Sequence, residues 1–200
     1  MIPLDQTDAF VNWKNYSCES GRLPRTWGVD YKNFMWESMV QQNAVPKDSP
    51  WNEKTVQLNL DYEALVLSKG INPISTTHHM ASRPNLSPGL NLILDDYKGK
   101  QHYYNFLKIT PGNNIVWHRD TYATFVKFMQ SSDEDFDKIR RTVVILEDWS
   151  AGQVIQIGNN VISHWQAGDY YTWIGDTWHG AANFGFDDFV CMQITWLPNS

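Results

Sequence analysis

From about residue 101 onward, short apolar runs alternate with turn-forming residues at the spacing expected of an all-β domain. The runs are HYYNFLKI (102–109), NIVWH (114–118), YATFVKFM (122–129), RTVVILED (141–148), QVIQI (153–157), NVISHW (160–165), DYYTWI (169–174) and FVCMQITW (189–196). Pro111-Gly112, Ala151-Gly152, Gly158-Asn159-Asn160, Ala167-Gly168-Asp169 and Gly175-Asp176 separate them, and such residues accept the backbone that turns require. Eight short strands so punctuated predict a mainly β jelly roll or barrel rather than a parallel sheet crossed by helices.

Residues 1–100 read differently, being irregular and broken by prolines at 24, 46, 50, 73, 84 and 88. The pattern predicts helices over Tyr31–Gln42 and Asn59–Lys69, the second carrying Leu60, Leu65 and Leu67 and ending at Gly70. This half is expected to pack as an N-terminal support region on one face of a 101–200 jelly-roll core. A length of 200 residues suits one such domain.

Composition narrows the function classes. Ten Trp, nine Tyr and nine Phe supply rings that line pockets as readily as they fill β cores. The net charge of −6 offers no general basic face, so a nucleic-acid partner is not expected. The acidic cluster Asp133–Asp137 reads as a solvated loop. Two cysteines, Cys18 and Cys191, allow one long-range disulfide but form no disulfide framework and no zinc spacing. Neither a signal peptide nor a bilayer-length apolar run is visible, and the expected compartment is the cytoplasm.

Among six histidines, the triplet His118-Arg119-Asp120 is the informative one. On a strand, residues two apart project to one face, so His118 and Asp120 can converge on an ion while Arg119 points away. His179, on a late strand, can supply a third ligand. Two imidazoles and one carboxylate form the facial triad of non-haem Fe(II), which leaves positions open for cosubstrate and O₂. The same ligand types also serve zinc.

FLKITPGNNIVWHRD and AGDYYTWIGDTWHGAANFG resemble the segments that carry the metal ligands of Fe(II)/2-oxoglutarate-dependent oxygenases. The nearest likeness is to the aspartyl/asparaginyl β-hydroxylase-like and prolyl-hydroxylase-like branch and its small phage-borne relatives, over residues 100–197. The resemblance implies a double-stranded β-helix, cupin-like in architecture, with His118, Asp120 and His179 holding iron. It also implies hydroxylation of a C–H bond with release of succinate and CO₂. The substrate would be a peptidyl side chain or a small molecule.

One departure stands out. Members of the family commonly hold the distal carboxylate of 2-oxoglutarate with an Arg about ten residues after the second metal His, where this chain reads Phe186-Asp187-Asp188-Phe189-Val190. A dicarboxylate in an apolar barrel needs a compensating cation. Arg141 is the first candidate for its planar fork, with Lys127 and Arg140 behind it. Asn183 can orient the cosubstrate or cap the turn before Gly185.

Other residues carry weaker signals. Tyr103, Tyr104 and Asn105 can line the pocket or the core. Trp117 and Trp178 are expected to face away from the metal. His78-His79 reads as a solvated loop, His164 as a strand-end or surface residue, and His102 carries no signal. Two other function classes stay open: a cupin-like metalloenzyme working without 2-oxoglutarate, and a non-enzymatic jelly-roll module.

Overall fold

Strands buried on both faces lose the alternation of half-exposed strands and read as continuous apolar runs. Arg140–Ile145 and Phe189–Trp196 are such strands, and they lie at the centre of the larger of two antiparallel sheets. The computed structural model describes residues 18–40, 77–120, 122, 125–126, 138–175 and 177–199. In chain order its strands are β1 (Glu19–Arg22), β2 (Glu37–Val40), β3 (Thr77–Ser82), β4 (His102–Ile109), β5 (Asn114–His118) and β6 (Arg140–Ile145). They continue with β7 (Gln153–Ile157), β8 (Asn160–Ile162), β9 (Asp169–Ile174), β10 (His179–Asn183) and β11 (Phe189–Trp196).

The sheet orders are β1-β9-β6-β11-β4-β3-β2 and β5-β10-β7-β8. Strands β4 to β11 supply all four strands of the smaller sheet and the central β9-β6-β11-β4 of the larger. Successive strands therefore cross between sheets, apart from the β7–β8 hairpin, which makes this a double-stranded β-helix. Leu107, Ile109, Val143, Ile145 and Cys191 face Ile155 and Ile157 across the interior. Burying each such aliphatic side chain contributes roughly 1.5–3 kcal/mol.

The outer face of the larger sheet is also covered. Phe106, Val144, Met192 and Ile194 pack against Trp27, Tyr31, Leu90, Ile93 and Leu94, which lie in the N-terminal region and in α1 (Pro88–Asn91) with its following 3₁₀ turn. The support region thus does pack on the β core, but its described part adds mostly strands and very little helix. The helix expected over Tyr31–Gln42 is replaced by a 3₁₀ turn at Asp30–Asn33 and by β2, which pairs with β3. Cross-strand hydrogen bonds there override a weak helical pattern. The helix expected over Asn59–Lys69 and the cluster Asp133–Asp137 lie outside the described residues.

Three further expectations change. His78 and His79 stand on β3, not in a loop, because this segment pairs with β4 on one side and β2 on the other. In the run 122–129, Phe125 and Val126 are helical, and the Val126 N–H donates to the Tyr122 carbonyl at 2.9 Å. The eighth core strand is instead β10, His179–Asn183, whose HGAAN sequence has little β propensity. Small residues suit that place: a Cβ on Gly180 would lie 3.0 Å from the Ile115 carbonyl of the neighbouring strand. Cys18 and Cys191 are both free thiols.

Candidate metal centre

His118 closes β5 and His179 opens β10, and the two stand opposite one another in antiparallel register. Direct cross-strand partners bring their side chains together, so the ring centroids are 4.4 Å apart. A register shift just after His179 marks an irregularity in this pairing, a feature common beside functional sites.

Both rings are held in the same way. His118 Nδ1 lies 2.8 Å from the Val116 carbonyl and His179 Nδ1 lies 2.9 Å from the Thr177 carbonyl. A carbonyl can only accept, so each Nδ1 carries a proton, and in the neutral ring Nε2 is the nitrogen that presents a lone pair. Those two Nε2 atoms face Asp120, at 3.6 Å from Oδ1 for His118 and 3.6 Å from Oδ2 for His179. The separation is too long for a hydrogen bond. One donor atom from each of the three residues falls within 4.8 Å of the others. Donors about 2.1 Å from a shared ion sit about 3 Å apart at right angles, so the cluster has the dimensions of a single-cation site.

Charge agrees with geometry. Burial, then the neighbouring His118, lower the His179 pKa to about 4, which keeps this imidazole neutral near pH 7. Burial pushes the Asp120 carboxyl upward, but Arg141, then His179 and His118, outweigh it and hold the group well below the usual carboxylate range. The set offers imidazole nitrogens and one anionic oxygen, a chemistry that fits a divalent ion.

Arg141 reaches the site from β6. Its Nε and Nη2 donate at 3.0 and 2.8 Å, both to Asp120 Oδ2. Strand alternation turns Arg141 inward, level with Trp173 on β9 and Thr195 on β11. The Tyr122 ring stands 5.1 Å from the guanidinium carbon, and Tyr122 adopts a left-handed backbone with φ of 50°. Trp173 packs on the His179 ring with centroids 5.0 Å apart. Sequence reasoning missed both Tyr122 and Trp173. The inward phase of DYYTWI could have indicated Trp173, whereas nothing local marks Tyr122.

The remaining candidates are placed elsewhere. Arg140 turns the other way and donates through Nη1 to the Lys138 and Ile139 carbonyls at 3.0 and 3.3 Å. Lys127 lies outside the described residues. Asn183, at the far end of β10, donates to the Ile109 and Asp187 carbonyls, each at 2.8 Å, and its Oδ1 accepts from the Gly185 N–H at 3.1 Å. Its amide therefore closes the turn that contains Phe186 and Asp187.

Arg119 points away from the triad and lies over Trp178, 5.4 Å from the ring centroid, while Trp117 stacks on Trp178 at 6.4 Å. Tyr104 faces the outer cluster and donates to the Pro84 carbonyl at 3.1 Å; Asn105 is buried toward the interior. His78 is buried on β3, and burial followed by His118 and His79 lowers its pKa to about 4. His164 is exposed and stacks on Trp149, and His102 Nδ1 is 3.0 Å from the Lys100 carbonyl.

Compared with known proteins, the chain matches no protein family and no curated sequence. Solved structures share its architecture at low identity. A prolyl-4-hydroxylase from Pseudomonas putida is 11% identical with a TM-score of 0.46, covering 86% of this chain and 97% of its own. A predicted oxalate decarboxylase from Thermotoga maritima is 15% identical with a TM-score of 0.39, covering 61% and 82%. A cupin domain from Bordetella pertussis is 13% identical with a TM-score of 0.36, covering 60% and 92%. Likeness at this level carries no chemistry. The strand order and the cluster define the class: a double-stranded β-helix with a two-histidine, one-carboxylate site. Among the described residues, no helix is long and apolar enough to cross a membrane.

Proposed function

We propose that this protein is an Fe(II)- and 2-oxoglutarate-dependent dioxygenase that hydroxylates a C–H bond of a peptidyl or small-molecule substrate. The observation that carries the reading is the convergence of His118, Asp120 and His179, with both Nε2 atoms facing one carboxylate. In this reading His118, Asp120 and His179 would hold the ion, and a set of only three protein donors would leave it able to take cosubstrate and O₂. Fe(II) bound there with 2-oxoglutarate supplies the coupling of O₂ reduction and decarboxylation, to succinate and CO₂, with insertion of one oxygen into the substrate C–H bond.

The protein's own contribution is orientation and electrostatics. The Val116 and Thr177 carbonyls fix both imidazole tautomers, and such outer contacts orient metal-binding rings. Arg141 places a buried positive charge beside the cluster, where an anionic cosubstrate needs one. Trp173 packs on the His179 ring and Tyr122 on the Arg141 guanidinium, so aromatic rings back both groups.

Anaerobic titration of Fe(II)-loaded protein with 2-oxoglutarate tests the proposal through the weak visible charge-transfer band of the chelate. A saturable band supports it. Bound iron without any band refutes the cosubstrate assignment. One observation favours that second outcome: the Arg141 donors Nε and Nη2 are already engaged by Asp120. The second reading is then a cupin-like metalloenzyme that uses the same triad without 2-oxoglutarate. Metal content unchanged by His118→Ala and His179→Ala would instead indicate a non-enzymatic module.

A further inference from the structure

We propose that His78 is a ligand-binding residue whose Nε2–H donates to a carboxylate oxygen of the molecule bound beside the metal. The inference rests on the metal-site reading above and holds whether that carboxylate belongs to 2-oxoglutarate or to the substrate. His78 stands on β3, which packs against β5, the strand that ends at His118. Met80 packs on the interior cluster with Leu107 and Ile115, so alternation turns His78, two residues earlier, to the same side. Burial, then the nearby His118, disfavour its protonation, and the ring is neutral near pH 7.

His78 is 9% exposed, and among the described residues nothing hydrogen-bonds its buried Nδ1. Buried polar atoms are ordinarily paired, and a sealed N–H without an acceptor is rarer than a bare lone pair. The neutral ring therefore keeps its proton on Nε2, which leaves that N–H as the donor for a ligand. The approach is open on the β2 side, where Met39 pairs with His78, shares its face of the sheet and is 40% exposed. A buried polar ring beside an exposed apolar side chain suits an organic ligand that enters polar end first. Charge selects that end. Asp120 and Arg141 cancel one another, so a divalent ion held there leaves the site positive, and a positive site draws anions. A carboxylate is also the stronger acceptor for the His78 N–H.

Histidine rings labelled with ¹⁵N report the contact without any turnover. The protein would be loaded with Zn(II), which is redox-silent, and titrated with 2-oxoglutarate and separately with acetate. Long-range ¹H–¹⁵N correlations are expected to show His78 as the Nε2–H tautomer, with that proton moving downfield as a probe saturates. A shift with 2-oxoglutarate alone assigns the carboxylate to the cosubstrate, whereas a shift with acetate assigns it to a second, substrate-borne group. His78→Leu should weaken binding of the responding probe at least about 10-fold and leave Zn(II) affinity at the wild-type value. His78→Gln keeps an N–H donor and should recover most of that loss.

A His78 signal that answers neither probe overturns the proposal and leaves the metal site standing, as does a His78→Leu variant that binds both probes like the wild type. A shift with acetate, in a protein whose iron form gives no chelate band, upholds the role of His78 and refutes only the cosubstrate assignment. Failure of the wild type to bind Zn(II) overturns the metal site and this proposal together.

Discussion

Arg141 donates two hydrogen bonds, of 3.0 and 2.8 Å, to a single oxygen of Asp120. The pair joins a central strand of the larger sheet to the residue just beyond β5 of the smaller one, so it ties the two sheets together at the metal end. Breaking a buried pair from one side leaves an uncompensated charge. Arg141→Met is expected to destabilise the metal-free protein by about 3 kcal/mol, and adding Asp120→Asn should recover most of that loss. Urea denaturation of the single and double variants measures both.

The triad predicts a sharp division among the histidines. His118→Ala or His179→Ala should weaken Fe(II) or Zn(II) binding at least about 100-fold, roughly 2.7 kcal/mol. His164→Ala, on an exposed ring stacked against Trp149, should leave affinity unchanged. Metal titration by calorimetry separates the two groups. Equal losses at all three positions would contradict this site.

Acid should destabilise the metal-free protein well before its carboxylates protonate. His78 and His179 both have folded-state pKa values lowered to about 4 from 6.5, chiefly by burial. Between those values the unfolded chain takes up protons that the folded protein refuses. Stability therefore falls as pH drops from about 6.5 toward 4, by on the order of 2 kcal/mol for each group. The depressed Asp120 acts below that window, losing its contribution as pH falls through its folded value. Unfolding midpoints measured from pH 7 to 4.5 should show the slope, and His78→Gln should flatten it.

Asn183 separates turn chemistry from cosubstrate binding. Its side chain satisfies two carbonyls and one N–H around the Asn183–Asp187 turn. Asn183→Ala should cost about 2 kcal/mol by leaving these buried groups unpaired. Titrations with Fe(II) and 2-oxoglutarate should be unchanged. A weakened chelate band in a variant of unaltered melting temperature would return Asn183 to the cosubstrate site.

Much of this architecture is written locally. The runs that form β4, β5, β7, β9 and β11 keep the bounds that their apolar pattern indicates, because strand residues there pack on one or both faces and turn residues stop them. The triplet His118-Arg119-Asp120 carries its own geometry, since alternation sends Arg119 to Trp178 and its neighbours to the opposite side. What local pattern could not supply was pairing. HGAAN becomes a strand because β5 and β7 flank it and demand small residues, while Phe125 and Val126 turn helical despite their β-prone sequence. Glu37–Val40 is a strand because it pairs with Thr77–Ser82, which in turn pairs with β4. The roles of the basic residues were likewise decided in three dimensions. One residue of register separates Arg140, held by the Lys138 and Ile139 carbonyls, from Arg141, clamped to Asp120. Hydrophobic periodicity is a property of neighbours along the chain, whereas ligand sets and ion pairs depend on which strands the fold lays side by side.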